Sequence, residues 1–121
     1  LYVPQFGGWA FTKSAAGRFV DTNCRDYGFI VRYPSYGEKQ TGIPYEPWHL
    51  RYVGLPHSQI IMDEYLTLEE YIDLLKPGSF YQYGSYLISH QNGRVIDAPS
   101  GWKHVTVSED NLGGYLFTWE L

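Results

Sequence analysis

The tetrapeptide Glu46-Pro47-Trp48-His49 places a carboxylate three residues ahead of an imidazole, inside the run GIPYEPWHLRYVG of residues 42–54. A hydrolytic metal site uses that pair, with an imidazole to hold the ion and a carboxylate to take a proton from the attacking water. It also needs about three protein ligands and an open position for water. A polar binding pocket would use the same two side chains without a metal. The spacing is short enough to arise by chance, and its plainer reading is a surface carboxylate beside a half-buried histidine.

Whether the two side chains meet depends on the backbone beneath them. Strict alternation along a strand puts residues three apart on opposite faces. Pro47 disfavours a regular strand, and a bulge or turn would bring Glu46 and His49 into one cleft. The strand-forming run GFIVRYP, stopped by Pro34, precedes a turn-like SYGEKQTG and a second extended run over 45–53. The pattern predicts an antiparallel hairpin.

Upstream, residues 1–12 read as an aromatic, glycine-rich loop. From Lys13 the spacing of Phe19, Val20, Cys24 and Tyr27 predicts a helix, with Gly28 at its end and Cys24 as a small core residue. Downstream, LPHSQIIMDEYLTLEEYIDLLKPG predicts two helical pieces. Thr67 and Glu70 form a capping-box pattern ahead of the apolar face of Leu68, Tyr71, Ile72 and Leu75, and Lys76-Pro77-Gly78 ends it. Residues 79–121 alternate β-rich runs with turns and predict three or four strands. The fold class is therefore α+β, a small antiparallel sheet with packed helices followed by a small all-β appendage. The expected division is 1–76 and 77–121.

Composition narrows the function. A net charge of −4, with nine scattered Lys and Arg, argues against nucleic acid, which calls for a basic patch. Twelve Tyr, six Phe and four Trp favour half-buried strands and binding clefts. Cys24 is the single cysteine, so there is no disulfide framework within the chain. No apolar run approaches the ~20 residues that span a bilayer, and no basic-then-apolar signal opens the sequence. Without an initial Met, LYVPQFGGWAF reads as a piece of something longer.

Taken together, YGFIVRYP, a short polar loop, TGIPYEPWHLRYVG and LTLEEYIDLL resemble the C-terminal half of VanY-like D-alanyl-D-alanine carboxypeptidases, zinc peptidases that trim bacterial cell-wall peptides. The resemblance runs from about residue 19 to residue 75. It implies that His49 is a zinc ligand and Glu46 the catalytic base. Trp48 would shape the wall of the substrate pocket, with plain hairpin packing as the alternative. Arg51 would hold a peptide carboxylate or support the site from behind, with a solvated strand arginine as the alternative. The implied substrate is a peptidoglycan stem peptide ending in D-Ala-D-Ala; relatives of this architecture also act on L,D-bonds and free dipeptides. An exported, wall-facing location follows from such a substrate alone.

The resemblance also implies two further ligands, a His and an Asp, from an upstream S-x-H-x-x-G-x-A-x-D segment that this chain does not contain. An upstream segment or a second chain would have to complete the site. HQNGRVID, from His90 to Asp97, repeats the ligand spacing and would require a circular permutation. Its plainer reading is a hairpin around Asn92-Gly93. His57 reads as a packed surface residue, or else a capping or supporting group. His104 carries no assignment, and SEDNLGG reads as a turn with too few carboxylates for a calcium loop. The missing ligands favour a second reading, a non-catalytic module that binds wall peptides, although such a module has no use for Glu46. A structural or interaction domain would explain the β tail but not the first 76 residues.

Overall fold

The computed structural model describes residues 8–92, 98–101, 103–110 and 113–120, without the side chains of 103 and 104. The fold is α+β, with five short helices and two antiparallel sheets among these residues. The chain divides into two compact units, one up to Tyr71 and one from Ile72 onward.

The first unit begins with α1 (Trp9–Lys13) and α2 (Ala15–Asn23). The loop expected up to residue 12 is therefore corrected: its last turn is helical. Ser14 breaks the run into two pieces. Its hydroxyl donates to the Phe11 carbonyl at 2.6 Å and accepts from the Gly17 N–H at 3.0 Å, capping α2 while closing α1. A 3-10 turn, Cys24–Tyr27, extends α2 to Gly28, whose φ of 86° lets the chain reverse without steric cost. The face carrying Phe19, Val20, Cys24 and Tyr27 joins Phe29 and Leu50 around an apolar cavity of about 380 Å³. Cys24 is buried, as expected, with its Sγ 3.5 Å from Met62 Sδ.

β1 (Phe29–Tyr33) and β2 (Glu46–Tyr52) form the hairpin, and the loop between them holds a one-turn helix, α3 (Glu38–Thr41). Val31 pairs with Leu50, but two residues later Tyr33 pairs with Glu46. One strand advances by two residues while the other advances by four, so β2 bulges over Pro47–His49. After the cis Leu55–Pro56 peptide come α4 (His57–Asp63) and α5 (Leu68–Leu74). The capping box of α5 forms in both directions: Thr67 N–H donates to Glu70 Oε1 at 3.0 Å, and Glu70 N–H to Thr67 Oγ1 at 3.1 Å. Arg32 on β1 donates twice to the Glu69 carboxylate at 2.9 Å, tying the start of α5 to the sheet. Phe11, Cys24, Ile30, Val31, Ile61, Leu68 and Tyr71 supply the buried apolar core.

The second unit is a sheet of β3 (Phe80–Tyr83), β4 (Tyr86–Gln91), β5 (Lys103–Glu109) and β6 (Tyr115–Glu120), in the order β3-β4-β6-β5. Its central strands carry the core, with Ile88, Leu116, Phe117 and Trp119 buried, while Val105 and Val107 on the β5 edge are exposed. Among the described residues no helix is long and apolar enough to cross a membrane.

Gly17 tests the packing of α1 against α2. Alanine in a helix interior is ordinarily favoured over glycine by ~1 kcal/mol. Here a β-carbon would collide with the Phe11 carbonyl oxygen. Gly17→Ala is therefore expected to lower the thermal midpoint, and a higher midpoint would contradict this packing.

Candidate active site

The bulge in β2 brings Glu46 and His49 together. Glu46 Oε2 lies 3.3 Å from His49 Nδ1, and the side chains are 31% and 47% exposed, open enough to meet a solute. Among the described residues neither Glu46 Oε1 nor His49 Nε2 makes a hydrogen bond or ion pair, which leaves these atoms available to a water and a metal. Tyr33, which pairs with Glu46 across the hairpin, sets its ring against the His49 ring at 4.9 Å and 86°. The Arg32 guanidinium lies 4.9 Å from the centre of the Tyr33 ring. Burial pushes the Glu69 carboxyl up, but the Arg32 hydrogen bonds, a backbone N–H and the Arg32 charge outweigh it and hold the group below its ordinary value.

Trp48 meets Trp9 of α1 edge to face at 5.0 Å, and Trp9 meets Tyr45 at 5.9 Å. An aromatic cluster thus clamps the strand that carries the dyad. Arg51 is exposed and pairs with Ile30, two residues past His49 in the regular part of the ladder. The sequence reading missed Trp9 because it fell in an assigned loop. It missed Tyr33 because that residue lies 13 positions before Glu46 and joins it only through the shifted register.

Among the described residues no group of three or more His, Cys, Asp or Glu side chains gathers to hold a metal ion. His49 fits as one ligand with Glu46 as its base, which is part of a hydrolytic site and not the whole of one. Asp97 lies outside the described residues. His90 is buried, with Nδ1 3.0 Å from the Leu75 carbonyl and Nε2 2.6 Å from Asp110 Oδ2. Both ring nitrogens are thus engaged within the protein. The Asp110 carboxylate also accepts from the Gly114 N–H at 2.8 Å.

Residues 8–55 match the family model described as VanY: D-alanyl-D-alanine carboxypeptidase. This stretch of the chain is similar to the VanY carboxypeptidases. A D-alanyl-D-alanine carboxypeptidase of Enterococcus faecium is 36% identical over 115 residues, covering 88% of this chain and 37% of that protein. The vancomycin-resistance D,D-dipeptidase VanXYg, solved with a D-Ala-D-Ala phosphinate analogue, is similar over 91% of this chain and 48% of its own, with 30% identity and a TM-score of 0.70. The LD-carboxypeptidase LdcB, solved to explain peptidoglycan recognition, is 51% identical over 55% of this chain and 31% of its own, with a TM-score of 0.52. This chain thus spans less than half the length of each. The VanY-matching segment contains both Glu46 and His49.

His57 corrects the surface reading. It is 5% exposed, and its Nδ1 lies 2.6 Å from the Tyr71 hydroxyl. Burial pushes the imidazole from 6.5 down to about 4 and raises the Tyr71 phenol. Between those two pH values the unfolded chain binds a proton that the folded chain refuses, so stability falls as the pH drops through that window and is flat above it. Urea unfolding at pH 7 and pH 5 should show a smaller loss for His57→Gln than for the wild type, by roughly 2 kcal/mol. An equal loss in both would contradict a buried neutral imidazole.

Proposed function

We infer that this chain is the C-terminal part of a zinc-dependent carboxypeptidase that removes the terminal D-Ala from peptidoglycan stem peptides. The observation that carries the reading is the contact of Glu46 with His49 at 3.3 Å, made by a bulge within a segment that matches the VanY model. The D-Ala-D-Ala activities of the similar proteins, and the recognition of peptidoglycan by LdcB, support the substrate class.

His49 would hold the metal through its ring nitrogen Nε2, and the Glu46 contact at Nδ1 would orient the ring. Zinc, when bound, polarises the scissile carbonyl and lowers the pKa of its water. The remaining chemistry falls to the protein. Glu46 takes the proton of the attacking water and returns it to the leaving amine. Arg51 offers a planar, permanently charged guanidinium for the substrate's terminal carboxylate, and Trp48 lines the wall of the pocket. The other two ligands come from an upstream segment or a second chain. Residues 1–76 form part of the peptidase domain and 77–121 a β extension, and the enzyme works outside the cytoplasm at the cell wall.

Release of D-alanine from a peptide ending in Lys-D-Ala-D-Ala tests the reading, assayed in the polypeptide or complex that supplies the completing ligands. Glu46→Gln should lower the rate by roughly 10²–10⁴-fold with peptide binding intact, and a metal chelator should abolish turnover reversibly. Peptide binding without any D-alanine release would favour the non-catalytic module instead.

A further inference from the structure

α4 closes with paired hydrogen bonds, from Leu66 N–H to the Ile61 carbonyl at 2.9 Å and from Tyr65 N–H to the Met62 carbonyl at 3.4 Å. This is the helix-ending arrangement whose penultimate position takes a left-handed backbone, most often supplied by glycine. Among the described residues eight glycines have positive φ, and Tyr65, at 54°, is the one residue of another type that does. A left-handed tyrosine costs roughly 1–2 kcal/mol that glycine would not. Burial does not offset that cost, because Tyr65 is 74% exposed.

The strained tyrosine is paired with a second. Tyr36 meets it edge to face at 5.9 Å and is itself 44% exposed. The Tyr36 hydroxyl donates to the Leu66 carbonyl at 3.1 Å, fixing one ring to the loop that carries the other. A β-carbon on Gly37 would strike the Thr67 methyl at 2.6 Å, so the two loops are closely packed there. The result is a closely set, uncharged pair of exposed aromatic rings. Rings this exposed cannot enclose a peptide side chain, which binds best in a desolvated pocket. They can stack on a flat, amphipathic ring whose C–H face is apolar and whose rim makes hydrogen bonds.

We propose that Tyr36 and Tyr65 form a subsite for the N-acetylated amino-sugar ring of a glycan strand. The assignment rests on the peptidase reading above for its substrate, and the reach agrees with it. Tyr36 follows Tyr33, which touches His49, by three residues, so their backbones lie within about 11 Å. A stem of four residues, joined to its sugar at the end opposite the scissile bond, spans about 13 Å when extended.

The test uses tetraacetylchitotetraose, a peptide-free oligomer of N-acetylglucosamine, added to this chain while the tyrosine ring signals are followed by NMR. Saturable shifts at Tyr36 and Tyr65 are expected. Tyr65→Gly should unfold at a higher temperature than the wild type, because glycine relieves the left-handed strain, yet bind the oligomer roughly fivefold to tenfold more weakly. Absence of shifts in the wild type, or unchanged affinity in Tyr65→Gly, would overturn the proposal. A lower midpoint for Tyr65→Gly would do so too, by assigning the ring to packing. The two readings separate because oligomer binding needs no catalysis: if the wild type binds the saccharide but releases no D-alanine once its completing ligands are supplied, only the peptidase reading is contradicted.

Discussion

Two side chains three apart on a regular strand face opposite ways, so the chemistry proposed here depends on the extra residues that β2 inserts between Leu50 and Glu46. That bulge puts Oε2 of Glu46 beside Nδ1 of His49. Pro47 lies within it, where a residue without an N–H costs the ladder nothing. The partner strand then supplies Tyr33 against the His49 ring, which a straight ladder would have placed elsewhere.

Much of the first unit braces that irregularity. α1 contributes Trp9 to the aromatic cluster with Trp48 and Tyr45. α5, capped by its own Thr67 and Glu70, presents Glu69 to both donors of Arg32, next to Tyr33 in β1. The pair is partly exposed, so its worth lies in fixed geometry more than in net stability. Gly28 turns the end of the preceding 3-10 turn into β1, and its carbonyl accepts the N–H groups of Val53 and Gly54 at 2.8 and 3.0 Å, closing the far end of the hairpin.

What was legible in the sequence was local. The capping box, the glycine stop at residue 28, the two strands and the four-stranded tail each follow from residues within a turn or a strand of one another. What was not legible depends on distant partners. α1 has no side-chain cap at Gly8, so nothing local announces it, and its worth comes from contacts with residues 45–48. α3 is one turn long and its composition is that of a turn. His57 follows a proline at a helix start, which suits a surface residue, yet the Tyr71 hydroxyl takes it into the core. Glu46 and His49 could be named as a pair from type and spacing, while the register shift that joins them could be raised only as one possible geometry. Tyr65 gave no signal, because a helix pattern does not reveal which residue must turn left-handed.

On the proposed reading His49, oriented by Glu46, is a metal ligand. The most direct measurement is a zinc titration of this chain followed through the imidazole nitrogen signals by NMR. Zinc is expected to move the His49 Nε2 signal, with the protein-engaged rings of His57 and His90 unchanged. Signals of His49 that stay fixed while zinc binds elsewhere, or a response centred on His90, would contradict it.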